Sequence, residues 1–361
     1  MNAHGELSMP LSSKEIQAAL ILRTLGIEED CWRRFMEGFI SECASRDESL
    51  GQRVAVLKRL WHSLSPHKAS TEDSIDYDRR CPVCSTSGVE VAASRRQTGE
   101  MPLVYGVCND CGLGILLRGA AENSIYNQPV YYLRDDGDAA GYENYLAEQD
   151  YREAKGRRLI EWVLAHAARP LQSMLETGSG FGFTRAAAEQ LGLATIGVDL
   201  NPYAARRAQE IYGLGTFTGT LADALEKKAI RLSSVDVILY QFVLEHLENP
   251  AVELRIASQA LSRNGVLVLV VPNMQSVERE IFSASYRSFR RDHLWLFSPD
   301  SLEILLEQAG LRIIAMESEC NVGVLRPFLS EGELQQLNAG CRAADLLVIA
   351  EKHEVPFRPH S

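Results

Sequence analysis

Basic residues are in deficit: 37 Lys and Arg stand against 48 Asp and Glu, a formal net charge of −11. A chain this acidic lacks the broad positive surface that holds a nucleic-acid backbone, which leaves room for a local basic patch at most. Long apolar runs are also missing. The longest, VLVLVV at 266–271, falls far short of the roughly 20 residues that cross a membrane. The opening MNAHGELSMPLSSK has no apolar core of the kind that directs secretion. The expectation is a cytoplasmic protein with no membrane partner. Internal repeats and low-complexity tracts are absent as well. What remains is a chain of 361 residues, 46% apolar, with enough material for a sizeable core and two or three domains.

Of eight cysteines, four are scattered (Cys31, Cys43, Cys320, Cys341) and read as small buried hydrophobes. The others form two close pairs, Cys81 with Cys84 and Cys108 with Cys111. In a chain without a secretion signal such pairs point to metal rather than to disulfides. Two C-x2-C knuckles can place four thiolates tetrahedrally around Zn²⁺ at about 2.3 Å. A full set of protein ligands leaves no open position, so this metal would be structural and would hold together a piece too small for its own core. A rubredoxin-like iron uses the same four ligands, although nothing else here suggests electron transfer; a redox pair fits less well.

Along the chain, residues 12–64 read as helices. Ser12 and Glu15 form a capping box, and Trp32, Phe35, Met36, Phe39, Ile40 and Cys43 recur on one helical face. Val56, Leu57, Leu60, Trp61 and Leu64 repeat the pattern. These faces require burial, on their own bundle, on the next domain, or against a protein partner or second copy. The polar stretch 65–78 reads as a linker. From 172 onward short apolar runs (SML, ATIGVDL, VDVILY, GVLVLVVP, LRIIAM, DLLVIA) alternate with helical segments, the signature of an α/β domain with a largely parallel sheet. The expected divisions are a helical region at 1–70, a four-cysteine zinc ribbon at 71–120, linking or lid helices at 121–169, and the α/β domain at 170–355.

The segment MLETGSGFGFTR (174–185) joins the first strand of that domain to a helix. Gly178, Gly180 and Gly182 suit a tight turn that a ligand approaches closely. Their spacing is G-x-G-x-G, with Phe183 where a dinucleotide site wants its third glycine, and no G-K-[ST] follows to clamp a phosphate. Asp199, 23 positions after Glu176 at the end of the second strand, can accept both hydroxyl protons of a ribose.

LETGSGFG with GVDLNP resembles the first motif and the following acidic position of class I S-adenosylmethionine (SAM)-dependent methyltransferases. VDVILYQFVLEHLENP, GVLVLVVPN and DHLWLFSPDSLEILLEQAGL extend the resemblance over about residues 170–352. The branch is similar to the ubiquinone-biosynthesis O-methyltransferases and the nucleotide-sugar C-methyltransferases, the latter also carrying zinc knuckles. The resemblance implies a Rossmann-like sheet with helices on both faces. It places Glu176 beside the methionine amino end, with the backbone of Gly178, Ser179, Gly180 and Gly182 along the methionine portion. It puts Asp199 on the ribose, Leu200 on the adenine, Thr220 and Leu221 lining the adenine side, and Tyr240 and Gln241 closing the site. Tyr131 and Tyr132 fall where the branch carries a lid, with burial against the linking helix as the other reading.

Methyl transfer needs an aligned nucleophile and, for a weakly acidic one, a base. His246 and His293 follow the fourth and fifth strands of the domain, where the methyl would be reached. His293 is the preferred base; His246 has a structural role as its alternative. Arg287, Arg290 and Arg291 either receive an acidic group on the acceptor or form a solvated basic loop. The expected activity is methylation of a small molecule, a sugar, glycan or specialised-metabolite intermediate. The rivals are an RNA or protein methyltransferase, since certain ribosomal RNA methyltransferases also begin with a zinc module, and a catalytically silent SAM-binding scaffold. This chain departs from the nucleotide-sugar enzymes at both ends, so their sugar specificity is not carried over.

Overall fold

The computed structural model describes residues 29–42, 49–64, 80–95, 101–120, 123–133, 145–320 and 324–353. The Ser12–Glu15 box, Cys43 and the linker at 65–78 lie outside them. Helices α1 (Glu29–Glu42) and α2 (Leu50–Leu64) come first, then strands β1 (Val89–Arg95), β2 (Leu103–Cys108) and β3 (Gly114–Arg118). Three short 3-10 turns and helix α3 (Gln149–His166) lead into the alternating region. This runs β4 (Ser173–Thr177), α4 (Phe183–Gln190), β5 (Ala194–Asp199), α5 (Pro202–Tyr212), β6 (Thr216–Thr218), α6 (Leu221–Glu226), β7 (Val235–Gln241), α7 (Pro250–Ala260) and β8 (Leu261–Pro272). It closes with α8 (Val277–Phe282), β9 (Trp295–Leu296), α9 (Pro299–Gln308), β10 (Leu311–Glu319), α10 (Glu331–Ala339) and β11 (Asp345–Lys352).

Seven strands form the main sheet in the order β10-β11-β8-β7-β4-β5-β6. Strands β4 to β8 pair in parallel, whereas β11 runs antiparallel to both β8 and β10. The chain leaves β4 toward β5 on one side and returns to β7 on the other. That reversal marks the place beyond the carboxyl ends of these strands where α/β sheets form the crevice that binds ligands. The centre of the sheet is buried on both faces, which is why β8 reads as an unbroken apolar run from Val266 to Val271. Leu267, Leu269 and Val271 face α6, α7 and α9; Val266, Val268 and Val270 face α3 and α4. Three helices start with a capping side chain followed by proline, Asn201-Pro202, Asn249-Pro250 and Ser298-Pro299, where the missing N–H costs nothing. The three-residue β6 was not legible as a strand.

A second sheet, β1-β2-β3-β9, is antiparallel. Its last strand comes not from the cysteine region but from the segment after β8. The cysteine region shares the main core too: Cys81, Val83, Cys108, Cys111, Leu113 and Ile115 pack in one cluster with Phe297, Leu302 and Leu306. Helices α1 and α2 lay Trp32, Phe35, Phe39, Leu57 and Trp61 against Ile281, Phe282 and residues 324–337, and the indole of Trp61 donates to the carbonyl of Phe282 at 3.1 Å. Their apolar face is thus buried against the chain's own later segments. Ile40 differs from the expected face and is 63% exposed, because it sits at the edge of the arc that Trp32, Phe35 and Phe39 centre.

Candidate active site and metal centre

Between β4 and α4 the chain reverses over five residues, and all three glycines adopt positive φ: 65° at Gly178, 52° at Gly180 and 83° at Gly182. Side chains would be strained there and would also collide. A Cβ on Gly178 would lie 2.4 Å from Cγ2 of Val243, and one on Gly180 would lie 2.8 Å from the Tyr145 hydroxyl. The N–H groups of Gly178 and Ser179 donate to the carbonyl of Val198 at 2.8 and 3.2 Å, which folds the loop onto β5. Gly197 in β5 is a further close approach that sequence reading did not single out: its Cβ would meet the Arg185 guanidinium at 2.3 Å.

Two carboxylates end the adjacent strands. Asp199 is buried; its oxygens accept from the N–H of Gly180 and of Asn201, each at 2.8 Å. Each oxygen keeps a second lone pair, so the group can still accept from a ligand. Burial pushes its pKa up, against those two bonds. Glu176 is buried as well, with Oε2 lacking any partner. Burial lifts its pKa to about 8, opposed by Arg185 and assisted by Asp199. Arg185 is itself almost wholly buried, held by Thr195, Thr216 and the carbonyl of Gly215. No sequence motif announced it.

The remaining expected contacts divide. Gln241 points toward the loop and accepts from the Thr184 hydroxyl at 2.8 Å. Leu200 is 41% exposed at the mouth. Ser179 keeps a buried hydroxyl without a partner. Thr220 uses its hydroxyl in a capping box with Asp223 at the start of α6, and Leu221 is fully buried in the core; the segment stays tied to the site because the Gly219 N–H donates to the Asp199 carbonyl at 2.9 Å. The Tyr240 ring faces the core and its hydroxyl donates to Glu253 at 2.8 Å, away from Gln241. Strand alternation explains the split between these two neighbours.

An aromatic cover lies over the loop. Tyr132 packs on Phe181 at 5.0 Å, and Tyr145 packs on Phe181 and Phe183 at 4.9 and 5.2 Å between ring centres. Contacts continue from Tyr132 through Tyr131 and Tyr126 to His246. Asn201 fastens this cover: its amide donates to the carbonyls of Tyr126 and Gln128 at 3.0 and 2.8 Å.

At the far end, a 3-10 turn after β7 presents Glu245 and His246, and the segment before β9 brings His293 beside them. The imidazole rings lie 4.9 Å apart. Nδ1 of His246 is 2.6 Å from the Asp292 carbonyl and Nδ1 of His293 is 2.9 Å from that of Ser288. A carbonyl can only accept, so both rings carry the proton on Nδ1. Burial lowers both pKa values, that of His293 strongly, which keeps the imidazoles neutral. Glu245 is fully buried, neither oxygen has a partner, and burial raises its pKa well above the ordinary range. The neighbouring arginines are already engaged. Arg287 pairs with Asp345 at 2.6 Å, Arg290 with Asp292 at 2.9 Å, and Arg291 donates to the carbonyls of Gly119 and Met101. All three are therefore engaged within the chain.

The four paired cysteines converge. Their sulfurs all lie within 4.8 Å of one another, with 3.6 Å between Cys81 and Cys111 and 3.5 Å between Cys84 and Cys108. Metal–sulfur bonds of about 2.3 Å give a tetrahedral edge of about 3.8 Å, so the set fits a structural zinc. In each knuckle the residue after the second cysteine has positive φ, 62° at Ser85 and 70° at Gly112. This module also braces the far end of the crevice. Tyr105 of β2 donates to the carbonyls of His293 and Arg290 at 2.5 and 2.7 Å. The Leu116 N–H donates to the Leu294 carbonyl at 3.0 Å, and the Leu294 N–H donates to the Glu245 carbonyl at 2.8 Å.

Residues 149–316 match the family model of a methyltransferase domain. No curated protein matches the sequence. Among solved structures, a SAM-dependent methyltransferase from Archaeoglobus fulgidus is similar at 20% identity, TM-score 0.44, over 58% of this chain and 99% of that one. A 1,6-didemethyltoxoflavin-N1-methyltransferase from Burkholderia thailandensis, with its acceptor and S-adenosylhomocysteine bound, is similar at 15% identity, TM-score 0.42, over 72% and 99%. A chain of the complex between the Haloferax volcanii Trm112 methyltransferase activator and a methyltransferase is similar at 15% identity, TM-score 0.46, over 59% and 96%. Residues 149–316 thus form a methyltransferase domain, set on this sheet order and this glycine loop.

Proposed function

We propose that the protein transfers the methyl group of SAM to a small-molecule acceptor, such as a sugar, glycan or specialised-metabolite intermediate. The observation that carries the acceptor class is the character of the far end of the crevice. Glu245 is buried there, the surrounding arginines are each engaged within the chain, and tyrosines cover the approach. Among the described residues at this end the arginines are already engaged, which suits a compact neutral acceptor better than a polyanionic backbone.

Bound SAM supplies an electrophilic methyl on a sulfonium, without a phosphate, which suits a glycine loop lacking a lysine. The unpartnered Oε2 of Glu176 and hydroxyl of Ser179 receive the amino-acid end in this reading. The loop from Gly178 through Gly180 to Gly182 gives the backbone approach that Cβ atoms would close. Asp199 receives the ribose, Leu200 covers the adenine, the chain at Thr220 and Leu221 forms the adenine wall, and Gln241 with the strand at Tyr240 closes the opposite side. Tyr131 and Tyr132 exclude water as part of the cover. His293 and His246, neutral and with Nε2 unprotonated, activate the acceptor. Cys81, Cys84, Cys108 and Cys111 hold a structural zinc that steadies His293.

The test is methyl-labelled SAM incubated with the enzyme and an extract of its host. Label in a small-molecule or glycan fraction supports the reading, and label in RNA or protein overturns it. With the acceptor in hand, His293→Ala should lose turnover at saturating acceptor while S-adenosylhomocysteine still binds.

A further inference from the structure

We propose that Glu245, His246 and His293 together hold a divalent metal ion at the acceptor end of the crevice, distinct from the four-cysteine centre, and that this ion receives a hydroxyl-bearing acceptor. The proposal rests on the methyl-transfer reading above and specifies how the histidines act. Each of the three residues offers one ligand atom, and these atoms lie within 4.8 Å of one another. Rotations that move them by about an ångström bring them to the spacing of ligands ~2.1 Å from a common ion.

Three features mark the site as built. Both imidazoles are anchored through Nδ1 to backbone carbonyls, the arrangement that orients histidines toward a metal and leaves Nε2 free to ligate. Glu245 is a wholly buried carboxylate with no hydrogen-bond partner at either oxygen, and Arg290 close by is already paired with Asp292; an ion would be the missing counter-charge. The ligands also come from separate segments that the fold forces together. Leu294, next to His293, donates to the backbone of Glu245 itself, and Tyr105 donates to the carbonyl of His293.

Two nitrogens and one oxygen select a borderline ion such as Zn²⁺, Fe²⁺ or Co²⁺ over Mg²⁺ or Ca²⁺, which prefer all-oxygen sets, and Mn²⁺ binds such a set more weakly and serves as a probe. Three protein ligands leave coordination positions open, unlike the four-cysteine centre. A hydroxyl bound there gives up its proton to water near neutral pH. Its oxygen then forms the new C–O bond while the methyl–sulfur bond breaks, and that bond's electron pair stays on sulfur to give S-adenosylhomocysteine.

The full chain, loaded with zinc at its cysteines, would be titrated with Mn²⁺ while the electron paramagnetic resonance of free Mn²⁺ is followed, and zinc content after saturation would be measured separately. We expect one Mn²⁺ per wild-type chain, or two zinc ions per chain in place of one. Glu245→Gln and His293→Gln should each weaken this binding beyond the 10- to 100-fold, roughly, that loss of an orienting partner costs. S-adenosylhomocysteine binding should persist in both variants and serves as the check on folding. Mn²⁺ should raise the melting temperature of the wild type and not that of Glu245→Gln. A wild type that takes a single zinc and no Mn²⁺, or variants that bind Mn²⁺ as the wild type does, overturns the metal site and leaves the methyltransferase reading intact. Failure of the wild type to bind S-adenosylhomocysteine overturns that reading instead.

Discussion

Replacing Asp199 with Asn probes the cofactor end with almost no change of shape. In the free protein the carboxylate accepts two backbone N–H groups, from Gly180 and Asn201 at 2.8 Å each. An amide can accept from one of them and must turn its NH2 toward the other, so a buried donor is left without an acceptor, at about 1–3 kcal/mol. If Asp199 receives the ribose as proposed, the same turn removes one acceptor from it. A hydrogen bond to a charged group contributes about 1.5–3 kcal/mol, which corresponds to roughly 10- to 150-fold weaker binding. Calorimetric titration with S-adenosylhomocysteine measures the total. Repeating it with the analogue lacking both ribose hydroxyls completes a mutant cycle and separates loop damage from ribose recognition. The wild type should lose affinity for the analogue, and Asp199→Asn should discriminate far less between the two ligands. If the variant loses the same factor as the wild type, Asp199 holds the loop and not the ribose.

Glu176 should make stability depend on pH. Its folded pKa of about 8 lies above the ordinary value of 4.5, so the folded state binds more protons between these values. The contribution of this group is present below about pH 4.5 and is lost as pH rises through about 8. In ligand-free protein, Glu176→Gln should flatten the fall in melting temperature over that window and weaken S-adenosylhomocysteine binding; a wild-type slope unchanged in the variant contradicts the assignment. Cys84→Ser should lower zinc content and melting temperature together. Because β9 and Tyr105 couple the cysteine module to His293, acceptor turnover should fall more than S-adenosylhomocysteine affinity; a variant that keeps its zinc and melting temperature refutes the metal reading. Phe35→Ala, emptying a fully buried position between Trp61 and Phe328, should cost about 3–5 kcal/mol in denaturant unfolding. A cost below about 1 kcal/mol would mean that α1 is not docked as described.

Local chemistry determined a good deal before any fold was seen. The spacing of Gly178, Gly180 and Gly182 is legible because only glycine tolerates the backbone angles and close contacts of that turn. The paired cysteines are legible because two short C-x2-C turns already set half of a tetrahedron each. The alternation from 172 onward implies the sheet, because strands buried on both faces must be apolar throughout. Tertiary structure decided the rest. Arg185 beneath Glu176, Asn201 clamping the aromatic cover, and the engagement of Arg287, Arg290 and Arg291 all depend on partners distant in sequence. So does the opposite aim of Tyr240 and Gln241, whose period-two alternation acquires a direction only once the two faces of the sheet are filled. The clearest case is His293. Its place beside Glu245 and His246 is set by β9 crossing into the cysteine sheet and by a hydroxyl from Tyr105, 188 residues away in the chain. Strand pairing and buried hydrogen bonds act between groups that meet in space, and a linear sequence shows the groups without showing the meeting.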